Sequence, residues 1–448
     1  MRVDAVRARH VLVDGAFRPA TVTIRDGRID EVAPFDAVVG GEVLEVAGPA
    51  RVLPGIVDTH VHVNEPGRTE WEGFATATAA AALGGVTTLV DMPLNSIPPT
   101  TTVEHLRLKQ QVADGQLAVD VGFWGGAVPG NLAELEPLWE AGVFGFKCFL
   151  SPSGVDEFPP LDHDELTAVL REVARLDALL IVHAEDAAVL EAAPARGSRA
   201  YRDFVLSRPD EAEIAAIRQV IEGARETGAR VHVLHLSSAR ALDVIADARA
   251  EGLRLTVETC PHYLCFSAES IPDASPEFKC CPPIRDDGNR TALWEALRDG
   301  LIDVVVSDHS PSTLAEKARG GGDLQQAWGG ISGLQVGFAA VAHEAGARGI
   351  GIERVSQWMS RGTADLVGLA RKGRIAPGAD ADLVVHDATV PTSVAADALA
   401  HRNPLSAWDG LALDGAVVTT IAGGRVVDPA APRRGGRRLT RHPSGGLR

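Results

Sequence analysis

The segment Ile56-Val57-Asp58-Thr59-His60-Val61-His62 is an apolar run that ends in two histidines. Side chains of an extended strand repeat their direction every second residue, so His60 and His62 face the same way and present two imidazoles together. Four further segments repeat this form. They are Val143-Phe144-Gly145-Phe146-Lys147, Leu180-Ile181-Val182-His183-Ala184-Glu185, Val231-His232-Val233-Leu234-His235 and Val304-Val305-Val306-Ser307-Asp308-His309. Each carries a potential metal ligand at or just past the end of an apolar run.

Between about Leu53 and Leu369, runs such as Val86–Val90, Leu179–Val182 and Leu255–Val257 alternate with helical patterns. Leu166, Val169, Leu170 and Val173 recur at helical spacing, and a second helix is expected over Glu211–Glu226. Strand–helix alternation over this length predicts a (β/α)8 barrel of the α/β class. The alternative, a doubly wound sheet, lacks a glycine-rich nucleotide fingerprint after an early strand. In a barrel, all strand C-termini open on one face, so His60, His62, Lys147, His183, His235 and Asp308 can converge there.

Outside this region the pattern is β. Val11–Val13 leads to Asp14-Gly15, and Thr21–Ile24 leads to Asp26-Gly27, a hairpin signal. Asp382–His386 and Ala416–Ile421 read as strands, with Gly423-Gly424 as a turn. The expected organisation is a small β-sandwich built from 1–52 and 371–430, with the barrel of 53–370 inserted. The segment 431–448, rich in Arg, Gly and Pro, is expected to be a disordered basic tail.

The 448 residues hold 45% apolar residues and a formal net charge of −17. Such an acidic chain argues against nucleic-acid or anionic-membrane partners. Cys148, Cys260, Cys265, Cys280 and Cys281 are odd in number and irregularly spaced. They read as reduced thiols of a cytoplasmic enzyme rather than a disulfide framework. Neither a signal peptide nor a membrane span is expected.

Lys147 is the unusual member of the converging set. A protonated ammonium offers no lone pair to a metal. Burial lowers a lysine pKa, and the free amine can react with carbon dioxide to give a carbamate with two oxygens. The bland alternative is an ion-paired lysine, but Phe146-Lys147-Cys148-Phe149 is an apolar setting without an adjacent acid.

Together the segments resemble the cyclic amidohydrolase branch of the amidohydrolase superfamily. Pro54–His62, Gly145–Phe149, Val182–Glu185, His235–Ser238 and Ser307–Pro311 are similar to its metal motifs, and Gly373–Leu383 to its return into the β-domain. The resemblance implies two divalent metals. His60 and His62 would bind the more buried one, His183 and His235 the more exposed one, and carboxylated Lys147 would bridge them. Asp308 would bind the buried metal and act as the base. Zinc is implied, and the donor set also accepts cobalt, nickel, manganese or iron.

The branch includes dihydroorotases, hydantoinases and allantoinases. Where dihydroorotases place an arginine for the substrate carboxylate, this chain has Asn64, which suits a neutral ring. Asn64–Phe74, Asp91–Asn95, Glu258–Tyr263 and Lys279–Arg285 are similar to allantoinase segments. This resemblance implies hydrolysis of the ring amide of allantoin to allantoate, with Asn95, Ser310 and the backbone around Cys281 holding the substrate. It also implies a homotetramer. A hydantoinase or dihydropyrimidinase is the alternative, and a metal-free scaffold is a more distant one. His262 is expected either to support the site or to be structural, and His163, His232, His343 and His401 to be structural.

Overall fold

The computed structural model describes residues 1–432 and 435–441. Its centre is a barrel of parallel strands, β1 (Ile56–Val61), β2 (Val86–Asp91), β3 (Asp120–Phe123), β4 (Phe146–Phe149), β5 (Leu179–His183), β6 (Arg230–Val233), β7 (Leu255–Thr259) and β8 (Val304–Val305). Neighbours pair in parallel from β1 to β3 and from β4 to β8. Gly125–Gly126, just past β3, pairs with β4 and carries the sheet on. The barrel closes where Val61 bridges His309 and His62 N–H donates to the His309 carbonyl at 2.8 Å. Asp58 reinforces this seam by accepting from the main-chain N–H of both His60 (3.1 Å) and Ser307 (3.2 Å).

Strands covered on both faces need continuous apolar sequence, and most of these strands have it. Every residue of β1, β2, β4 and β5 is buried. The surrounding helices begin and end at local signals. The helix His163–Arg175 starts at a capping box between Asp162 and Glu165 and buries Leu166, Val169, Leu170 and Val173. The helix Asp210–Thr227 stops at Gly228, whose φ of 73° suits a residue without a Cβ.

Both termini contribute to one eight-stranded sheet, in the order Arg425–Val426, Ala416–Ala422, Leu383–Asp387, Arg51–Pro54, Ala5–Val13, Ala16–Arg25 and Arg28–Ala33, with Val43–Val46 paired to Ala5–Val13. Val6, Val22, Val52 and Leu383 lie in its separate apolar core. Asp26 and Gly27, both at positive φ, turn the expected hairpin.

The tail departs from expectation. Residues 435–441 lie against the barrel with Leu439 buried and Gly435, Arg437 and Arg438 exposed, and 433–434 and 442–448 fall outside the described residues. The start of β3 has an edge that β4 does not reach. The tail fills it: Val121 N–H donates to the Arg437 carbonyl (2.9 Å) and Leu439 N–H donates to the Val121 carbonyl (2.8 Å). The Arg437 guanidinium donates to Asp120 (2.6 Å) and Asp380 (3.0 Å), and Arg441 lies over the Trp139 ring. A buried acidic cluster therefore supplies the anchor that composition alone did not reveal. Among the described residues, no helix is long and apolar enough to cross a membrane.

Candidate active site

At the C-terminal end of the strands lies a cavity of about 300 Å³. Its lining includes His60, His62, Lys147, His183, His235 and Asp308, together with Asn95, Ser310 and Cys281. All nine expected site residues thus meet in one space. A larger cleft of about 500 Å³ opens beside Asp120 and Asp382, at the opposite end of the strands. Those acids are already paired with Lys372, each at 2.6 Å, so among the described residues that cleft shows no comparable set of free ligands.

Two nitrogen–oxygen contacts define one half of the site. Nε2 of His60 and of His62 lie 3.1 and 3.7 Å from Oδ1 of Asp308. In the other half, Nδ1 of His183 faces Nε2 of His235 at 3.0 Å. Lys147 sits among these groups, with its Nζ 5.0 Å from the centroid of the Phe149 ring.

Carboxylates behind the imidazoles select which nitrogen faces inward. Glu258 Oε1 lies 2.5 Å from Nδ1 of His60, so a proton on that nitrogen leaves the Nε2 lone pair directed toward Asp308. Glu185 Oε2 lies 2.8 Å from Nε2 of His183, which frees Nδ1 to face His235. Arg208 clamps Glu185 through two bonds, at 3.0 and 2.5 Å. Nδ2 of Asn95 lies 3.3 Å from Nδ1 of His62.

The backbone is strained where the ligands emerge. His235 (φ 35°) and Asp308 (φ 42°) occupy the left-handed region, as do Asn64 and Asn95. Such residues cost on the order of 1–3 kcal/mol each and persist where the surroundings over-determine them. Gly145 has the freedom that the approach to Lys147 demands. A Cβ there would stand 2.4 Å from the Leu179 carbonyl oxygen.

The electrostatics of these groups suit a bound cation. Burial opposes charge on Asp308, yet His60, His235 and His62 hold its carboxyl well below the usual range. Burial also opposes the charged form of His60, but the carboxylates of Asp308 and Glu258 outweigh it and raise its pKa to about 9. Burial lowers the pKa of His62, His183 and His235, which favours the neutral form that ligates metals. It also lowers that of Lys147 to about 8, against the pull of Asp308 and Glu258. Nε2 of His60 is buried without a hydrogen-bond partner among the described residues. Inward-facing imidazoles, a carboxylate and an orphaned nitrogen fit divalent metal ions.

A family model described as the amidohydrolase family matches residues 51–427. The chain belongs to the amidohydrolase family. Among its members, an allantoinase of Streptomyces avermitilis is 54% identical over 441 residues, covering 98% of each chain. An allantoinase of Saccharomyces cerevisiae is 45% identical over 95% of each. A solved amidohydrolase fold, the L-hydantoinase (dihydropyrimidinase) of Arthrobacter aurescens, superposes with a TM-score of 0.93. It is 30% identical and covers 98% of this chain and all of that one.

Several groups of the site escaped the sequence reading. Arg208 and the segment Gln325–Gly330 also line the cavity, as does Lys279 at the start of the segment Lys279–Arg285. Glu258 stands near the end of β7, a position that marks it as a candidate for the site. His232, expected to be structural, contacts Glu258 with its Nε2 at 2.9 Å. His262 lies in the fold next to Asp308 and Cys260, with ligand atoms within 4.8 Å of one another. Asn64 turns away from the cavity lining and donates to the Pro311 carbonyl at 3.3 Å.

Proposed function

We propose that this protein opens the ring of allantoin by hydrolysis, giving allantoate. The observation that carries this reading is near-full-length similarity to allantoinases, 54% identity over 98% of both chains in one case. The cavity is consistent with a neutral, hydrogen-bonding ring. Its cations Arg208 and Lys279 are already engaged, Arg208 by the Glu185 carboxylate and Lys279 by main-chain carbonyls. A hydantoinase or dihydropyrimidinase is the second reading, supported by the likeness to the Arthrobacter structure.

In this reading His60, His62 and Asp308 would hold one divalent metal and His183 and His235 a second, and Lys147, as a carbamate formed with carbon dioxide, would supply oxygens to both. Zinc is the proposed ion, with cobalt, nickel, manganese and iron also suited to the donors. Bound there, the metals would activate a water and polarise the ring carbonyl. Asp308 takes a proton at its carboxylate as the carbonyl is attacked, then passes it to the leaving ring nitrogen. Ser310 Oγ donates to Asp308 Oδ1 at 2.7 Å and so fixes the carboxylate for both transfers. Asn95 and Ser310 line the cavity and would hold the ring, with the main chain around Cys281 as a third contact.

The functional division proposed is a β-sandwich from 1–52 and 371–430 that supports the catalytic barrel of 53–370. A cytoplasmic homotetramer acting on a small molecule completes the reading. The test is turnover of allantoin by the purified, zinc-supplemented chain in bicarbonate buffer, beside hydantoin and dihydroorotate. Allantoate formation that far exceeds turnover of the other two is expected. Ring opening of hydantoin without turnover of allantoin would select the second reading.

A further inference from the structure

The wall of the cavity facing the histidines is made of two loops. One, after β7, brings Lys279 and Cys281, and the other, after β8, brings Ser310 and Gln325–Gly330. Apolar contacts hold parts of both loops, Phe278 against Phe266 and Trp328 against Trp71, and polar bonds join the two loops to each other. Lys317, which is buried and does not itself line the cavity, stands between them. Its Nζ donates to the carbonyls of Pro276 (2.9 Å), Lys279 (3.3 Å) and Gly330 (2.5 Å). The three acceptors come from both loops, and all are main-chain. Gly330 N–H in turn donates to the Lys279 carbonyl at 2.8 Å.

Gly330 is the point where this junction meets the site. Its φ is 128°, and a Cβ there would stand 2.2 Å from the Ser310 carbonyl oxygen. Ser310 N–H donates to the Ile331 carbonyl at 3.0 Å. Lys279 extends the same device, since its Nζ donates to the carbonyls of Gln325 (3.2 Å) and Ala327 (2.5 Å). A buried ammonium left without acceptors is costly, and so are buried carbonyls left without donors. Each loop therefore constrains the other through the lysine.

We infer that Lys317 is a positioning residue that sets the substrate-facing wall by tying the Pro276–Cys281 loop to Gly330. This inference rests on the proposed reading of the site. Lys317 touches neither the metal ligands nor the expected path of the reacting atoms. Its loss should loosen substrate binding more than it slows the chemistry.

The test is Lys317→Met, an apolar side chain of similar length, in the full metal-loaded chain, with Lys317→Arg as the variant that keeps donors. Lys317→Met is expected to raise KM for allantoin about tenfold while kcat changes less than about threefold, and Lys317→Arg to recover part of the loss. Amide hydrogen exchange is the second readout. Faster exchange confined to peptides covering 276–281 and 325–331, with bound metal unchanged, is expected. Unchanged KM and exchange in Lys317→Met would overturn the inference. So would loss of metal or general loosening of the barrel, which would make Lys317 a residue of the fold at large. If the wild-type chain leaves allantoin untouched, the substrate reading fails, and the exchange experiment still judges Lys317.

Discussion

Glu258 Oε1 lies 2.5 Å from Nδ1 of His60, and both groups are fully buried. The carboxylate also lies 2.9 Å from Nε2 of His232 and accepts from the main-chain N–H of His235 at 3.1 Å. One side chain thus orients two imidazoles and the backbone of a third. Glu258→Gln keeps the shape but removes the charge that draws the proton to Nδ1 of His60. Metal affinity should fall by about 10- to 100-fold. Metal content after dialysis against graded chelator would measure this, and wild-type retention would remove Glu258 from the account.

Asp308 carries the proton in the proposed reaction and supplies one ligand among several. Asp308→Asn should lower turnover of allantoin by about 10²–10⁴-fold while much of the metal remains. Parallel metal analysis and kinetics check both halves. Ordinary turnover in this variant would end its assignment as the base.

Lys147→Ala removes the proposed bridge. The site should then lose its metals, and short carboxylic acids such as formate or propionate should restore part of the occupancy and activity. Full occupancy without an added acid would count against a carbamate bridge.

The pKa of Lys147 gives that bridge a pH dependence. Burial lowers it from 10.5 to about 8, so the free amine gains population as pH rises through that value. At constant dissolved carbon dioxide, the free amine at pH 8 is roughly fifteenfold more abundant than at pH 6.5. Reconstitution of the metal-free protein should therefore be faster at the higher pH by a similar factor. A rate that is flat, or that falls toward pH 8, would contradict carbamate formation at this residue.

The docked tail has its own consequence. Deleting residues 433–448 removes the pairing to Val121 and leaves Asp120 and Asp380 without Arg437. Thermal unfolding should shift down by a few degrees, with metal content and KM unchanged. The Arg437 side chain is 52% exposed, so its ion pairs are screened and the lost strand pairing should dominate.

Much of this molecule was legible because buried parallel strands cannot avoid apolar runs. Leu179–His183 and Phe146–Phe149 announce themselves, and so do the ligands placed at or after their ends. The helix His163–Arg175 was read from Leu166 because its first turn is polar, being devoted to the capping box with Asp162. What was hidden depends on partners far away in sequence. Arg437 and Asp120 are 317 positions apart, and nothing in an arginine- and glycine-rich tail signals its anchor. Lys317 was equally silent. Its acceptors are main-chain carbonyls, which every residue possesses, so no pattern of side chains marks them.

The account stands or falls on two metals held by one converging set of side chains. Allantoin turnover should be followed as zinc is added stepwise to metal-free protein in bicarbonate buffer. Activity that rises and saturates at two equivalents per chain is the predicted result. Full activity without added metal, or saturation at one equivalent, would contradict the binuclear site.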